Sequence, residues 1–136
     1  MANEFARRLQ DAAVNPAALA LPAGAATVNG ASIDLNAVNP FLAGVEFEVV
    51  APACSNAQVA SGETVTYTIE ESTDDSTFTD VIILDELTQT GAGAGVATAT
   101  QRFTVPSHVS RYIRLSITKT GATDASGASA TLTARF

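Results

Sequence analysis

Strict alternation of polar and apolar residues is the main pattern of the chain, and it is clearest in its middle. Val65, Tyr67 and Ile69 fall on one side of an extended chain, and threonines fall on the other. A period of two with β-branched and aromatic residues is typical of a strand with one buried face. Residues 72–76 are short and polar and favour a turn, and residues 78–87 include a continuous apolar run. We therefore predict a central β-hairpin, followed by a flexible loop at Thr88–Gly95.

Shorter runs with the same period predict the remaining strands of the domain. They are Ser32–Leu35, Gly44–Val50, Ala97–Val105, Arg111–Lys119 and Ala128–Phe136. The alternation also predicts which side chains face the core. The residues expected to face inward are Val45, Phe47, Val49, Ile113, Leu115, Ile117, Ala130, Leu132 and Ala134, and those expected to face outward include Glu46, Glu48, Arg114, Ser116 and Thr118.

The N-terminal region differs from the rest of the chain. Phe5, Leu9 and Ala12 recur at helical spacing, so we predict a short amphipathic helix over Asn3–Val14. Pro16 ends it, because the residue before a proline avoids the helical region. An Ala- and Pro-rich linker follows. The predicted organisation is an arm at residues 1–26 and a β-domain at residues 27–136.

Strands of this length and number, with only a peripheral helix, indicate an all-β fold, an antiparallel β-sandwich. A jelly-roll-like arrangement with a short N-terminal helical arm is the first choice, and an immunoglobulin-like arrangement is the second.

The composition narrows the class of partner. The chain of 136 residues has a net charge of −7, so we expect no nucleic-acid partner, since phosphate binding needs a basic surface. No apolar stretch is long enough to span a bilayer, so we expect no membrane partner. Only 15% of the residues are charged, against about a quarter in an average soluble domain. Surface that is neither charged nor buried within its own subunit is often buried against a neighbouring subunit. The composition therefore favours an assembly component over a solitary enzyme.

The charges are unevenly distributed along the chain. Residues 46–86 contain ten acidic residues and no Lys or Arg, whereas residues 87–136 contain five basic residues and one acidic residue. Two interpretations remain open. Acidic and basic strands can be neighbours that pair within one sheet, or opposite patches can meet between subunits.

No group of residues has the pattern of a catalytic, cofactor-binding or metal-binding site. We therefore predict that the protein is not an enzyme, and we expect no cofactor. The acidic turn at residues 70–80 lacks the spacing of an EF-hand loop, and whether it binds a cation stays open. His108 is the only histidine and has no partner at metal-ligand spacing. The glycines of 91–95 precede no helix, so they do not form a phosphate-binding loop. Cys54 is expected to be a buried small hydrophobe.

Two features suggest contact with another protein. Tyr112 is expected on the outward face of its strand beside Arg114, and an exposed tyrosine flanked by arginine is a typical interface composition. Phe5 and Leu9 give the N-terminal arm an apolar face, with Arg7 and Arg8 beside it. The predicted interface residues are Phe5, Arg7, Arg8, Leu9, Tyr112 and Arg114.

The layout of the chain resembles the small jelly-roll capsid cement (decoration) proteins of tailed bacteriophages. The likeness lies in the short arm, VNGASIDL at 28–35, VTYTIEESTDDSTFTDV at 65–81, RYIRLSITKTG at 111–121 and ATLTARF at 130–136. The resemblance implies a non-enzymatic virion protein on the outer capsid surface. It also implies the major capsid protein as partner, whose subunits the protein would bridge and stabilise, and assembly of the protein itself as a homodimer or homotrimer.

The hairpin sequence at 67–81 also resembles discoidin-like carbohydrate-binding domains. In those domains a Trp usually precedes the Thr at the end of this segment, whereas this chain has Phe78 and no Trp at all. The alternative function is a glycan-binding adhesion module on a virion or cell surface.

Overall fold

The computed structural model describes residues 16–35, 46–81 and 84–135, and all regular structure in them is β. The strands are β1 Leu19–Ala20, β2 Ala26–Asn29, β3 Ile33–Asp34, β4 Glu46–Ala51, β5 Thr64–Ser72, β6 Thr79–Asp80, β7 Leu87–Thr90, β8 Ala99–Thr104, β9 Tyr112–Lys119 and β10 Ser129–Arg135. The all-β prediction is confirmed for the described residues. The helix predicted at Asn3–Val14 lies outside them.

The strands form two antiparallel sheets. The first has the order β1-β10-β4-β8. In the second, β9 pairs with β5 on one side and with both β2 and β3 on the other, and β5 pairs in turn with β6 and β7. The chain changes sheet six times, after β1, β3, β4, β7, β8 and β9.

The inward faces of the two sheets share one hydrophobic core, which makes the domain a β-sandwich. The predicted inward positions of β5, β9 and β10 are buried, as the alternation requires. Phe47 of β4 is fully buried, and its ring stacks on Phe103 of β8 with 5.7 Å between the ring centroids. Cys54 is buried as predicted, and burial raises the pKa of its thiol.

The second strand of the central hairpin is not continuous, so that prediction was wrong. Three steps along β5, from Glu70 to Tyr67, correspond to seven along its partner, from Asp80 to Leu87. The segment from Asp80 to Leu87 is therefore four residues longer than the segment of β5 that it faces. The predicted loop at 88–95 begins as strand β7, in which Gln89 lies opposite Val65 and is buried.

Part of the predicted linker belongs to the sandwich. β1 pairs with the edge of β10, with Leu19 opposite Ala130. Leu21 and Pro22 are buried, and the Leu21 amide donates to the Ala128 carbonyl oxygen at 2.9 Å. Apolar side chains at 19 and 21 pack on the core and hold this segment to the first sheet.

Candidate functional site

The two described residues of the predicted interface lie on the outward face of the second sheet. Tyr112 and Arg114 alternate along β9 with the buried Ile113 and Leu115. The other four predicted residues, Phe5, Arg7, Arg8 and Leu9, lie outside the described part of the chain.

Arg114 is engaged within its own domain. Its Nε donates to Glu70 Oε2 on β5 at 2.6 Å, and these two residues are directly opposite in the ladder. The guanidinium carbon lies 3.8 Å from the centroid of the Phe78 ring, which is a cation–π contact. The side chain of Arg114 is 21% exposed. Arg114 therefore presents only part of its surface to a partner.

Tyr112 is the first residue of β9 and lies beside a second ion pair. The Arg111 guanidinium lies 5.0 Å from the centroid of the Tyr112 ring. It also donates two hydrogen bonds to the Asp34 carboxylate, at 2.9 and 2.7 Å. Since a bidentate pair orients both groups, this corner offers a half-buried tyrosine between ordered charges.

The first sheet has a compact charge cluster on its outward face. Glu48, expected to be exposed, is buried, although it points away from the core. Its neighbours β8 and β10 supply Arg102, whose Nε donates to Glu48 Oε2 at 2.7 Å, and Arg135, which donates to Oε1. The hydrogen bonds from Arg102 and then Arg135 lower the pKa of the Glu48 carboxyl.

These contacts distinguish the two interpretations of the uneven charge. The acidic strands β4 and β5 lie next to strands that supply basic residues, and the ion pairs of the described residues cross from strand to strand within the chain. Pairing within each sheet is thus confirmed for these residues.

A buried ion pair that the sequence analysis did not anticipate lies at one end of the sandwich. The side chain of Lys119 is 0% exposed. Its Nζ donates to Glu63 Oε2 and Thr123 Oγ1, both at 2.9 Å, and to two carbonyl oxygens of the following turn. The Thr123 hydroxyl, followed by Lys119, lowers the pKa of Glu63 to about 2. The cluster joins the loop before β5 to the loop after β9.

The acidic turn between β5 and β6 is stabilised by hydrogen bonds within the turn itself. Asp74 Oδ1 accepts the backbone amides of Ser76 and Thr77, both at 2.9 Å, and the Ser72 hydroxyl. These bonds, from Thr77 and Ser76 first, hold the pKa of Asp74 well below its usual range. Asp75 adopts a left-handed backbone conformation with φ of 59°. Among the described residues, no group of His, Cys, Asp or Glu is arranged to hold a metal ion.

The glycine-rich loop after β7 serves close packing. A Cβ on Gly91 would lie 2.0 Å from the Ala60 carbonyl oxygen, and one on Gly95 would lie 2.1 Å from that of Cys54. The Cys54–Val96 bridge joins this loop to the segment after β4. His108 lies in an exposed turn elsewhere.

The outward face of the second sheet has an uncharged half, which we name the threonine array. It comprises Thr27, Asn29, Thr64, Thr66, Thr68, Thr88, Thr90, Ser116, Thr118 and Thr120. The register aligns Thr27, Thr118, Thr66 and Thr88 in one row across four strands. Ser116, expected to be exposed, is buried in the adjacent row, where its Oγ donates to Asn29 Oδ1 at 2.9 Å.

No protein-family model matches this chain, and no curated protein is significantly similar to it. Within the described residues, the structure has no helix with the length and apolar character needed to cross a membrane.

Proposed function

We propose that this chain is a structural virion protein, a capsid cement or decoration protein. It binds the outer capsid surface and bridges subunits of the major capsid protein, which stabilises the shell. The observation that carries this proposal is the strand order, taken together with the resemblance in residues 28–35, 65–81, 111–121 and 130–136.

The strand order supports the jelly-roll topology that the resemblance implies. If β2 with β3, and β6 with β7, each count as one interrupted strand, the domain has eight strands in two sheets of four. Numbered along the chain, the sheets then have the orders 1-8-3-6 and 2-7-4-5. Every connection except the central hairpin crosses between sheets, as in two Greek keys wound into a jelly roll. An immunoglobulin-like sandwich divides its strands differently.

The chemistry of the described surface also supports a structural role. The ionised groups at Glu48, Glu63, Glu70 and Asp74 are occupied by arginine, lysine or backbone partners of the same domain. Groups held this way stabilise the fold. Phe78, at the position where discoidin-like domains have Trp, lies under the Arg114 guanidinium, so one face of its ring is covered. A glycan platform at this position is therefore disfavoured.

In the proposed mechanism the N-terminal arm, with Phe5, Arg7, Arg8 and Leu9, docks on a capsid protein or on an adjacent cement subunit. The β-domains associate through a sheet face that includes Tyr112 and Arg114. Modest contacts repeated over a symmetric shell then add by multivalency.

Deletion of residues 2–16 tests the role of the arm. We expect the truncated protein to lose binding to DNA-free capsid shells in co-sedimentation while keeping a cooperative thermal unfolding transition. Full occupancy of shells by the folded, truncated protein would contradict the docking role.

A further inference from the structure

We propose that the threonine array is the surface of the β-domain that contacts the capsid shell, and that it fits an uncharged patch of the shell's outer surface. This inference rests on the proposed function and names the face involved. The ten positions of the array contain no charged residue. The outward face of the first sheet has the Glu48 cluster, and the other half of the second sheet has the Glu70–Arg114 pair.

The array can lose its water at low cost because its hydroxyl groups already pair with one another across strands. Thr27 and Thr118 share a hydrogen bond at 2.9 Å, Thr64 and Thr120 share one at 3.1 Å, and Thr66 and Thr88 share one at 3.4 Å. A polar group that keeps a hydrogen-bond partner avoids most of the penalty of burial.

The array is also rigid. Threonine is β-branched, so each side chain has restricted χ1 freedom on a strand. Contacts between surfaces made of stiff side chains lose less rotamer entropy than contacts made by long lysine or glutamate side chains. A rigid, internally satisfied face is suited to packing against another rigid protein surface.

The size of the array favours a shell over a free homodimer. Four strands about 4.8 Å apart and three rows about 6.7 Å apart cover roughly 400 Å². A stable two-protein interface buries about 800 Å² on each partner. A contact of half that size is weak alone, but it becomes effective when many copies bind one shell or when a second contact holds the protein there.

A matched pair of double variants tests this assignment. Thr88→Asp/Thr118→Asp places two carboxylates on the array, on the strands either side of Thr66. Thr100→Asp/Thr131→Asp makes the same change on the outward face of the first sheet, either side of Val50. Thermal unfolding verifies that both variants fold before binding is measured.

The probe is the DNA-free shell of the phage that encodes the chain, with binding followed by co-sedimentation. We expect the array variant to bind at least about tenfold more weakly than the wild type, because it buries unpaired carboxylates, and the first-sheet variant to bind within about twofold.

Three outcomes overturn the inference. Equal binding by the array variant and the wild type would exclude the array as the shell contact. An array variant that binds shells normally but loses self-association in light scattering would assign the face to a second copy. If the wild type itself ignores shells, the proposed function fails, and this inference fails with it.

Discussion

At the scale of single residues, Lys119 shows how alternation can place a charge inside a sandwich. It follows Ile113, Leu115 and Ile117 at intervals of two, so the period that buries these residues also turns Lys119 inward. Glu63 has the same relation to Val65 and Tyr67 on the neighbouring strand. The alternation places both Lys119 and Glu63 on the inward face. The charge of each residue argues against burial as long as its partner is unknown.

We predict that Lys119→Met lowers the melting temperature by about 10 °C or more, since it leaves Glu63 and its loop without the buried cation. The double variant Glu63→Leu/Lys119→Met should recover part of the loss, because both members of the pair are then apolar. Thermal unfolding by circular dichroism measures both. A single variant that melts within about 2 °C of the wild type would show that the pair contributes little.

At the scale of elements, the conformation of a loop depends on close contacts between backbone segments, and the periodicity of the sequence does not predict such contacts. The loop after β7 contains three glycines, Gly91, Gly93 and Gly95, but only the first and third are closely packed. The Gly91 amide donates to the Glu63 carbonyl oxygen at 2.8 Å, and its carbonyl accepts the Gly62 amide at 3.0 Å. The sequence indicated a flexible loop, whereas two of its glycines meet other backbone segments.

We expect Gly91→Ala to destabilise the domain by about 2 kcal/mol or more, because the new Cβ meets a carbonyl oxygen that is fixed in the backbone. Gly93→Ala is the matched control. Nothing lies within 4 Å of its Cβ, so a change within about 0.5 kcal/mol is expected. Urea unfolding compares the two, and equal losses would contradict the packing role of Gly91.

At the scale of the whole molecule, ionised carboxylates stabilise contacts between strands and loops, so the stability of the folded domain is sensitive to acid. The pKa values of Glu48, Glu63, Asp74 and Asp124 are all lowered by hydrogen bonds in the folded state. A carboxyl whose folded pKa lies below its unfolded value adds stability above the unfolded value. That stability is lost as the pH falls toward the folded one.

For Glu63 this window extends from its ordinary pKa of 4.5 down to about 2. We predict that the free energy of unfolding, measured by urea titration, falls with the pH through this range. Glu63→Gln should reduce the steepness of the fall, because one linked proton is removed. Stability that rises with acidification would refute this account.

The alternation of residues by itself determined the all-β class and the buried faces of β5, β9 and β10, because burial with a period of two is a local property of an extended chain. Only the tertiary structure decided which strands are neighbours, since this depends on contacts between distant residues. Glu48 meets Arg135 across 87 positions and Glu63 meets Lys119 across 56. The same holds for the threonine array: the outward threonines of β5 and β9 could be found from their own strands, but Thr88 and Thr90 lay in a predicted loop. The rows exist only because the register aligns four strands.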